Sequence, residues 1–389
     1  MRKPVFPYFS VALLMGVGLS ILGPSVSHLE TKLDVTKTVI SVLFLTGSIA
    51  NFIGAVASSF VMNHLGGHTT LRVGVVGITL GVLLTCVGSS LAVVIVGCAL
   101  SGGFAAIADT GMNTLTVWAR VGEAGPALNT LHLMFGVGAF LAPLAVDRAI
   151  EWSDDLWPAA LFVGMLLVLV LSIIGRREVP PHPHADHVVD RPHMPNSVVA
   201  VVAFFFFLYV GAEVGFGGWI HTYSEDIGMT GSRPALVTAV FWGAFSLGRL
   251  IAIPVSSRVR PFVLVFAASI VSVIGLLIMV IGNGDPWAVW LGTAMYGLAS
   301  GPQYPTMFAM IDERLSLNPS ATSAIVASAG VGGLLVSTGI GPLLDHVGTS
   351  AMTTLVFVVS AVASVWVLNV QRSINRASAP GRTDVPHPA

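Results

Sequence analysis

Runs of about twenty or more mainly apolar residues recur along the whole chain, parted by short segments that carry charge or Gly and Pro. About twenty such residues are needed for a helix to cross the hydrocarbon layer of a bilayer. The pattern predicts twelve crossings, at 7–29, 38–63, 69–90, 91–119, 125–149, 156–175, 197–226, 232–257, 262–282, 286–313, 320–345 and 349–371. A stretch rich in Pro, His and charge, 176–196, separates them six and six and reads as a flexible cytoplasmic linker. The expected organisation is therefore a six-helix bundle over 1–175, that linker, a second six-helix bundle over 197–372 and a cytoplasmic tail over 373–389.

Basic residues orient the crossings. With the N-terminus inside, thirteen Lys and Arg fall in inner segments, and only Lys32, Lys37, Arg148 and Arg233 fall outside. This asymmetry obeys the positive-inside rule and predicts two cytoplasmic termini on a multi-pass plasma-membrane protein. An alternative reading takes Met1-Arg2-Lys3 and the first apolar run as a secretory signal, whose removal would leave eleven spans and invert the assignment.

An internal repeat ties the two sets together. Gly16 and Gly23 correspond to Gly211 and Gly218 at an offset of 195, and Gly97, Ala99 and Gly102 correspond to Gly292, Ala294 and Gly297 at the same offset. Gly136-Val137-Gly138 matches Gly330-Val331-Gly332 at 194. A shared register in three pairs of helices predicts an all-α integral membrane protein of two pseudo-symmetric six-helix bundles, with a site between them at mid-membrane.

Composition sharpens what the chain is not. Of 389 residues, 54% are apolar and 10% charged, with a mean hydropathy of +0.85, whereas soluble domains carry roughly 25% charge. Eighteen basic and nineteen acidic residues nearly cancel, so there is no field for nucleic acid. Cys86 and Cys98 lie inside apolar runs and read as packing residues. His182, His184, His187 and His193 of the linker have irregular spacing and read as solvated rather than metal-bound. No glycine string follows a strand as a nucleotide loop would, and neither a zincin pair nor a serine elbow is present, so neither a cofactor nor an enzymatic role is expected. The expected partners are the bilayer and a small polar substrate.

Polar groups inside the spans are few, and each needs a reason, because an ionised side chain at the bilayer centre costs on the order of 2.5–3.5 kcal/mol. Asp109 and Asn113 lie one turn apart in the fourth span, on a face continued by Gly102 and Ala106. Asp109 stands roughly 16 Å from the inner end of its helix, close to mid-membrane. It is a candidate for a proton or cation, with a structural carboxyl as the alternative. Asn129 and His132 lie three residues apart in the fifth span at a depth similar to that of Asn113; His132 reads equally as a substrate contact or a helix–helix hydrogen bond. In the tenth span, Gln303 stands beside Tyr304, the repeat partner of Asp109, and Pro302 and Pro305 loosen the helix around them. Glu213, in the seventh span, precedes Gly215, Gly217, Gly218 and Trp219; it reads either as half of an ion pair with Arg249 or as a second coupling site. Trp219 is expected to present a ring to the cavity.

Four segments carry a resemblance. Asp109-Thr110-Gly111-Met112-Asn113, His132 to Pro143, Tyr209 to Trp219, and Phe241-Trp242-Gly243-Ala244-Phe245-Ser246-Leu247-Gly248-Arg249 resemble the fucose, galactose and glucose symporter group of the major facilitator superfamily, especially its sodium-dependent glucose transporter-like branch. The resemblance implies that Asp109 carries the coupling proton or lies beside the coupling ion, and that Asn113, Asn129 and Gln303 meet sugar hydroxyls. Two departures stand out: no acid occurs between Pro7 and His28, where fucose-type members have one, and His64, Gly66, Gly67, His68 and Arg72 replace the superfamily's Asp and Arg cluster between the second and third spans.

The expected function is symport of a neutral monosaccharide with a cation, a proton first and sodium as the alternative. Asp109 and Glu213 would serve the ion, and Asn113, Asn129, His132, Gln303, Trp219 and Tyr304 the substrate. A proton-coupled drug or metabolite antiporter is a rival, since Gly138 to Pro143 distantly matches an antiporter pattern with Ala142 in a glycine position. A sensor or docking protein without transport is another.

Overall fold

The computed structural model describes residues 5–120, 124–175, 194–316 and 319–378, so the linker histidines lie outside the described residues. Hydrocarbon leaves each backbone N–H and C=O to be satisfied within its own segment, and the chain answers with helices. They are α1 (Phe6–Ser20), α2 (Leu22–Leu33), α3 (Lys37–Leu65), α4 (Gly67–Val87), α5 (Leu91–Ala119), α6 (Ala124–Ser153), α7 (Trp157–Ile174), α8 (Asn196–Asp226), α9 (Arg233–Ser256), α10 (Pro261–Gly282), α11 (Pro286–Ser300), α12 (Gln303–Asp312), α13 (Pro319–His346) and α14 (Ser350–Ala377). Among the described residues, eleven crossings are long and apolar enough to span a bilayer, with α1 and α2 counted as one. Jointly, α11 and α12 make the twelfth.

Two of the expected spans are thus broken. Pro24 has no N–H to give the Ser20 carbonyl, and the chain kinks at Ile21, whose own carbonyl receives the Ser25 hydroxyl at 2.8 Å. Pro302 and Pro305 deny partners to the carbonyls of Leu298 and Gly301, and the tenth span divides there. The last helix runs on to Ala377, so the first residues assigned to the tail are helical.

The glycine register becomes packing. A Cβ on Gly97 would stand 2.7 Å from the Gly81 carbonyl oxygen, and one on Gly292 would stand 2.5 Å from that of Gly275, so α4 meets α5 as α10 meets α11. Gly102 closes on the Gly47 carbonyl of α3, and Gly297 closes on the Phe241 carbonyl of α9. Gly138 packs on α1 and Gly332 on α8 in the same way. Two bundles of one design result. They meet at Gly23, where a Cβ would lie 3.0 Å from the Gly218 oxygen.

The apolar core is not shared evenly. Here "near" denotes the face where α1 begins and α14 ends, and "far" the opposite face. One buried cluster runs through the N-terminal bundle and across the far side into Phe216, Trp219, Ile220, Val336 and Ile340; a second, with Val202, Phe206, Met310, Ile325 and Val370, stays within the near part of the C-terminal bundle. The bundles are therefore fused towards the far face and have separate cores towards the near one.

Candidate functional site

Helix α5 brings Asp109 and Asn113 into contact, as two polar residues four apart on one helix must be. The Asn113 amide donates to Asp109 Oδ1 at 3.0 Å and to the Asp109 carbonyl at 2.9 Å. Both side chains are half-buried. One carboxylate oxygen is thus held in a fixed position, and among the described residues no hydrogen bond reaches the other, which leaves it for a proton, an ion or a substrate hydroxyl. Across the seam, Tyr304 of the C-terminal bundle stands within electrostatic reach of Asp109, Glu213 and Arg249. The residues related by the 195-residue repeat therefore approach each other from opposite halves.

The break between α11 and α12 sets the other wall. Arg249 Nε donates to the freed Gly301 carbonyl at 3.0 Å, and its guanidinium lies 4.5 Å from the centre of the Phe245 ring. The Tyr209 hydroxyl donates to the Ser300 carbonyl at 2.9 Å and lies within reach of Glu213. The ion pair expected between Glu213 and Arg249 is not formed as a direct contact. Arg249 is drawn away because the proline-freed carbonyl beside it is a buried acceptor with no backbone donor, and a charged donor satisfies it well. Glu213 feels the charge of Arg249 only at longer range.

Two expected substrate contacts lie elsewhere. Gln303 is 3% exposed and faces the interior of its own bundle, where its amide nitrogen donates to Ser272 Oγ at 3.0 Å and to the Ala299 carbonyl at 3.2 Å. Trp219 is wholly buried, its indole nitrogen donating to the Ser337 carbonyl at 2.8 Å and its ring centred 5.4 Å from that of Phe44 of the opposite half. It closes the far seam rather than facing a cavity. His132, on α6, is half-buried and within electrostatic reach of Arg249 across the interface, and Asn129 is exposed one turn nearer the near face.

The far seam also holds residues that the sequence pattern did not single out. Asp345 accepts from both the backbone N–H of Thr38, at 2.7 Å, and its hydroxyl, at 2.6 Å, so an acid of one half caps the first turn of a helix in the other. Lys37 pairs with Asp226 at 2.8 Å, and Ser27 donates to Glu225. These acids lie at the ends of spans, where nothing in the local sequence marks them. Only their opposition across the seam makes a latch.

Comparison with known proteins agrees with this geometry. The profile of the Major Facilitator Superfamily matches residues 8–337. Sodium-dependent glucose transporter 1A of Mus musculus is 22% identical over 378 residues, which cover 87% of this chain and 89% of that protein. Among solved structures, a D-xylose–proton symporter superposes with a TM-score of 0.77 at 12% identity, covering 93% of this chain and 96% of that one. A nucleoside transporter, NupG, superposes with a TM-score of 0.70 at 12% identity, covering 95% and 100%.

Proposed function

We propose, from the premise that this chain belongs to the Major Facilitator Superfamily, that it carries a neutral monosaccharide inward across the plasma membrane together with a cation, a proton on Asp109. The observation that carries this reading is the Asp109–Asn113 pair, half-buried on α5 and opposed by Tyr304 of the other bundle. The Asn113 amide bonds the same carboxyl that would carry the proton, so a ligand that competes for Asn113 changes the affinity for the proton. His132 and Asn129 offer further polar contacts from α6, and Glu213 is a second acidic group behind Tyr304. In this conformation the far seam is latched while the bundles have separate cores at the near side, as a carrier closed to one compartment requires. Rocking about the Gly23–Gly218 approach would exchange the two.

Sodium in place of the proton is the second reading, favoured by the name of the mouse relative. Uptake of radiolabelled monosaccharide into proteoliposomes, with proton and sodium gradients imposed separately, tests both. Asp109→Asn is expected to abolish gradient-driven accumulation while sugar exchange persists. Undiminished accumulation in that variant would remove Asp109 from the mechanism.

A further inference from the structure

Inside the C-terminal bundle, beside the break in the tenth span, lies a small polar chamber of about 10 Å3. That is roughly the volume of one water-sized sphere. Tyr209, Ser269, Ser272, Ser300 and Gln303 line it, closed off by Tyr296 and Ser360. All are at least nine-tenths buried. Seven oxygen-bearing side chains surround this small space, and among them the Ser300 hydroxyl is buried without a hydrogen-bond partner among the described residues, which is the group that calls for an occupant.

The placement of hydrogens indicates what kind. Tyr209 gives its hydroxyl hydrogen to the Ser300 carbonyl, and Ser269 gives its own to the Phe266 carbonyl at 2.8 Å. Both nitrogen-borne donations of Gln303 go to Ser272 and Ala299. The hydroxyl hydrogens of Tyr209 and Ser269 are thus committed away from the chamber, and Ser269 Oγ also meets Ser364 Oγ at 3.0 Å. Ser300 Oγ has no partner at bonding geometry, although the Tyr296 hydroxyl stands close. The chamber also sits at the C-terminal end of α11, which carries the negative pole of that helix. Glu213, within reach of Tyr209, and Arg249, on the Gly301 carbonyl, are the ionisable groups nearest to the break.

We infer that the oxygen-lined chamber at the α11–α12 break binds one dehydrated sodium ion, held by Ser300 and Gln303 from either side of the break and by Ser272 of α10. Half-helix C-termini and broken-helix carbonyls are used in this way by other secondary transporters, and a hard cation prefers an all-oxygen shell. Such an ion would tie the two pieces of the tenth span together. The inference deepens the cation-coupled reading and rests on it for its meaning in transport, but its site lies in the opposite bundle from Asp109.

The test is thermal unfolding of the purified full-length protein in detergent, titrated with NaCl against choline chloride at constant ionic strength. Binding to the folded state alone raises the midpoint saturably with sodium. Ser300→Cys and Ser272→Cys preserve volume but replace a hard ligand by a soft one, and each is expected to raise the half-saturating sodium concentration on the order of tenfold. Asp109→Asn and the lipid-side control Ser172→Ala are expected to leave it unchanged. A midpoint indifferent to sodium would mean that the chamber holds only water, and would overturn the inference while leaving proton-driven uptake intact. A sodium response lost in Asp109→Asn but retained in both cysteine variants would place the ion on α5, overturning the chamber and sparing the cation-coupled reading. Were a single variant to fail to fold, the other cysteine variant reads the same quantity.

Discussion

The fourth span of each bundle is built on the same glycine register, yet the two have opposite interiors. In the N-terminal bundle α5 is one unbroken helix, and it places a carboxyl and an amide at mid-membrane. In the C-terminal bundle the equivalent span is split into α11 and α12, and Tyr304 occupies the place of Asp109. Where α5 carries a side-chain charge, its counterpart exposes backbone carbonyls that Arg249 and Tyr209 have to satisfy. One scaffold thus offers two ways of keeping polarity inside oil: a polar side chain on an intact helix, or a broken helix whose backbone is held by neighbours. The difference lies in where the polarity sits, on side chains in one half and on backbone carbonyls in the other.

The comparison can be broken most severely at Arg249. Arg249→Met leaves the Gly301 carbonyl buried without its charged donor and should cost about 3 kcal/mol, read as a lower midpoint of thermal unfolding in detergent. The equivalent disruption in the N-terminal bundle has no counterpart, because α5 has no freed carbonyl at that level. Next come the glycine contacts, which should behave alike in both halves. Gly102→Ala sets a methyl against the Gly47 carbonyl and Gly297→Ala sets one against that of Phe241; each should cost about 2 kcal/mol. A large inequality between the two midpoints would show that the packing register is not truly repeated. The smallest effect is expected at the latch. Asp345→Ala removes the cap on α3 at about 1 kcal/mol, with little loss of folding stability but a shift of population towards the form open at the far face. The measurement is labelling of a cysteine placed at Phe44, and unchanged reactivity would show that Asp345 does not hold the seam.

Much of this was legible in the residues. Apolar runs of bilayer length located the crossings, and the offsets linking Gly97 to Gly292 and Gly102 to Gly297 announced packing that the structure repeats bundle for bundle. Asp109 and Asn113 touch because local helical geometry alone brings them together. Longer-range pairings were not legible in the same way. Glu213 and Arg249 looked like mutual partners by charge, but charge does not reveal that Pro305 frees a carbonyl nearer to Arg249. The family resemblance implied Gln303 as a sugar contact, but a resemblance does not give the direction a side chain takes after a helix break, and it turns inward to Ser272. Trp219 looked like a cavity wall, and it is the plug of the far seam against Phe44.

What the amino-acid order determined by itself is whatever depends on neighbours within a few turns: where hydrocarbon demands a helix, where proline denies it a donor, where small residues recur, and which polar side chains share a helical face. Tertiary structure alone decided which free carbonyl each long donor reached, which acids met across the seam, and which bundle enclosed the serine-lined chamber. Those outcomes depend on distances between helices far apart in the chain, and no local periodicity encodes such distances, because each helix can satisfy its own backbone equally well whatever stands beside it.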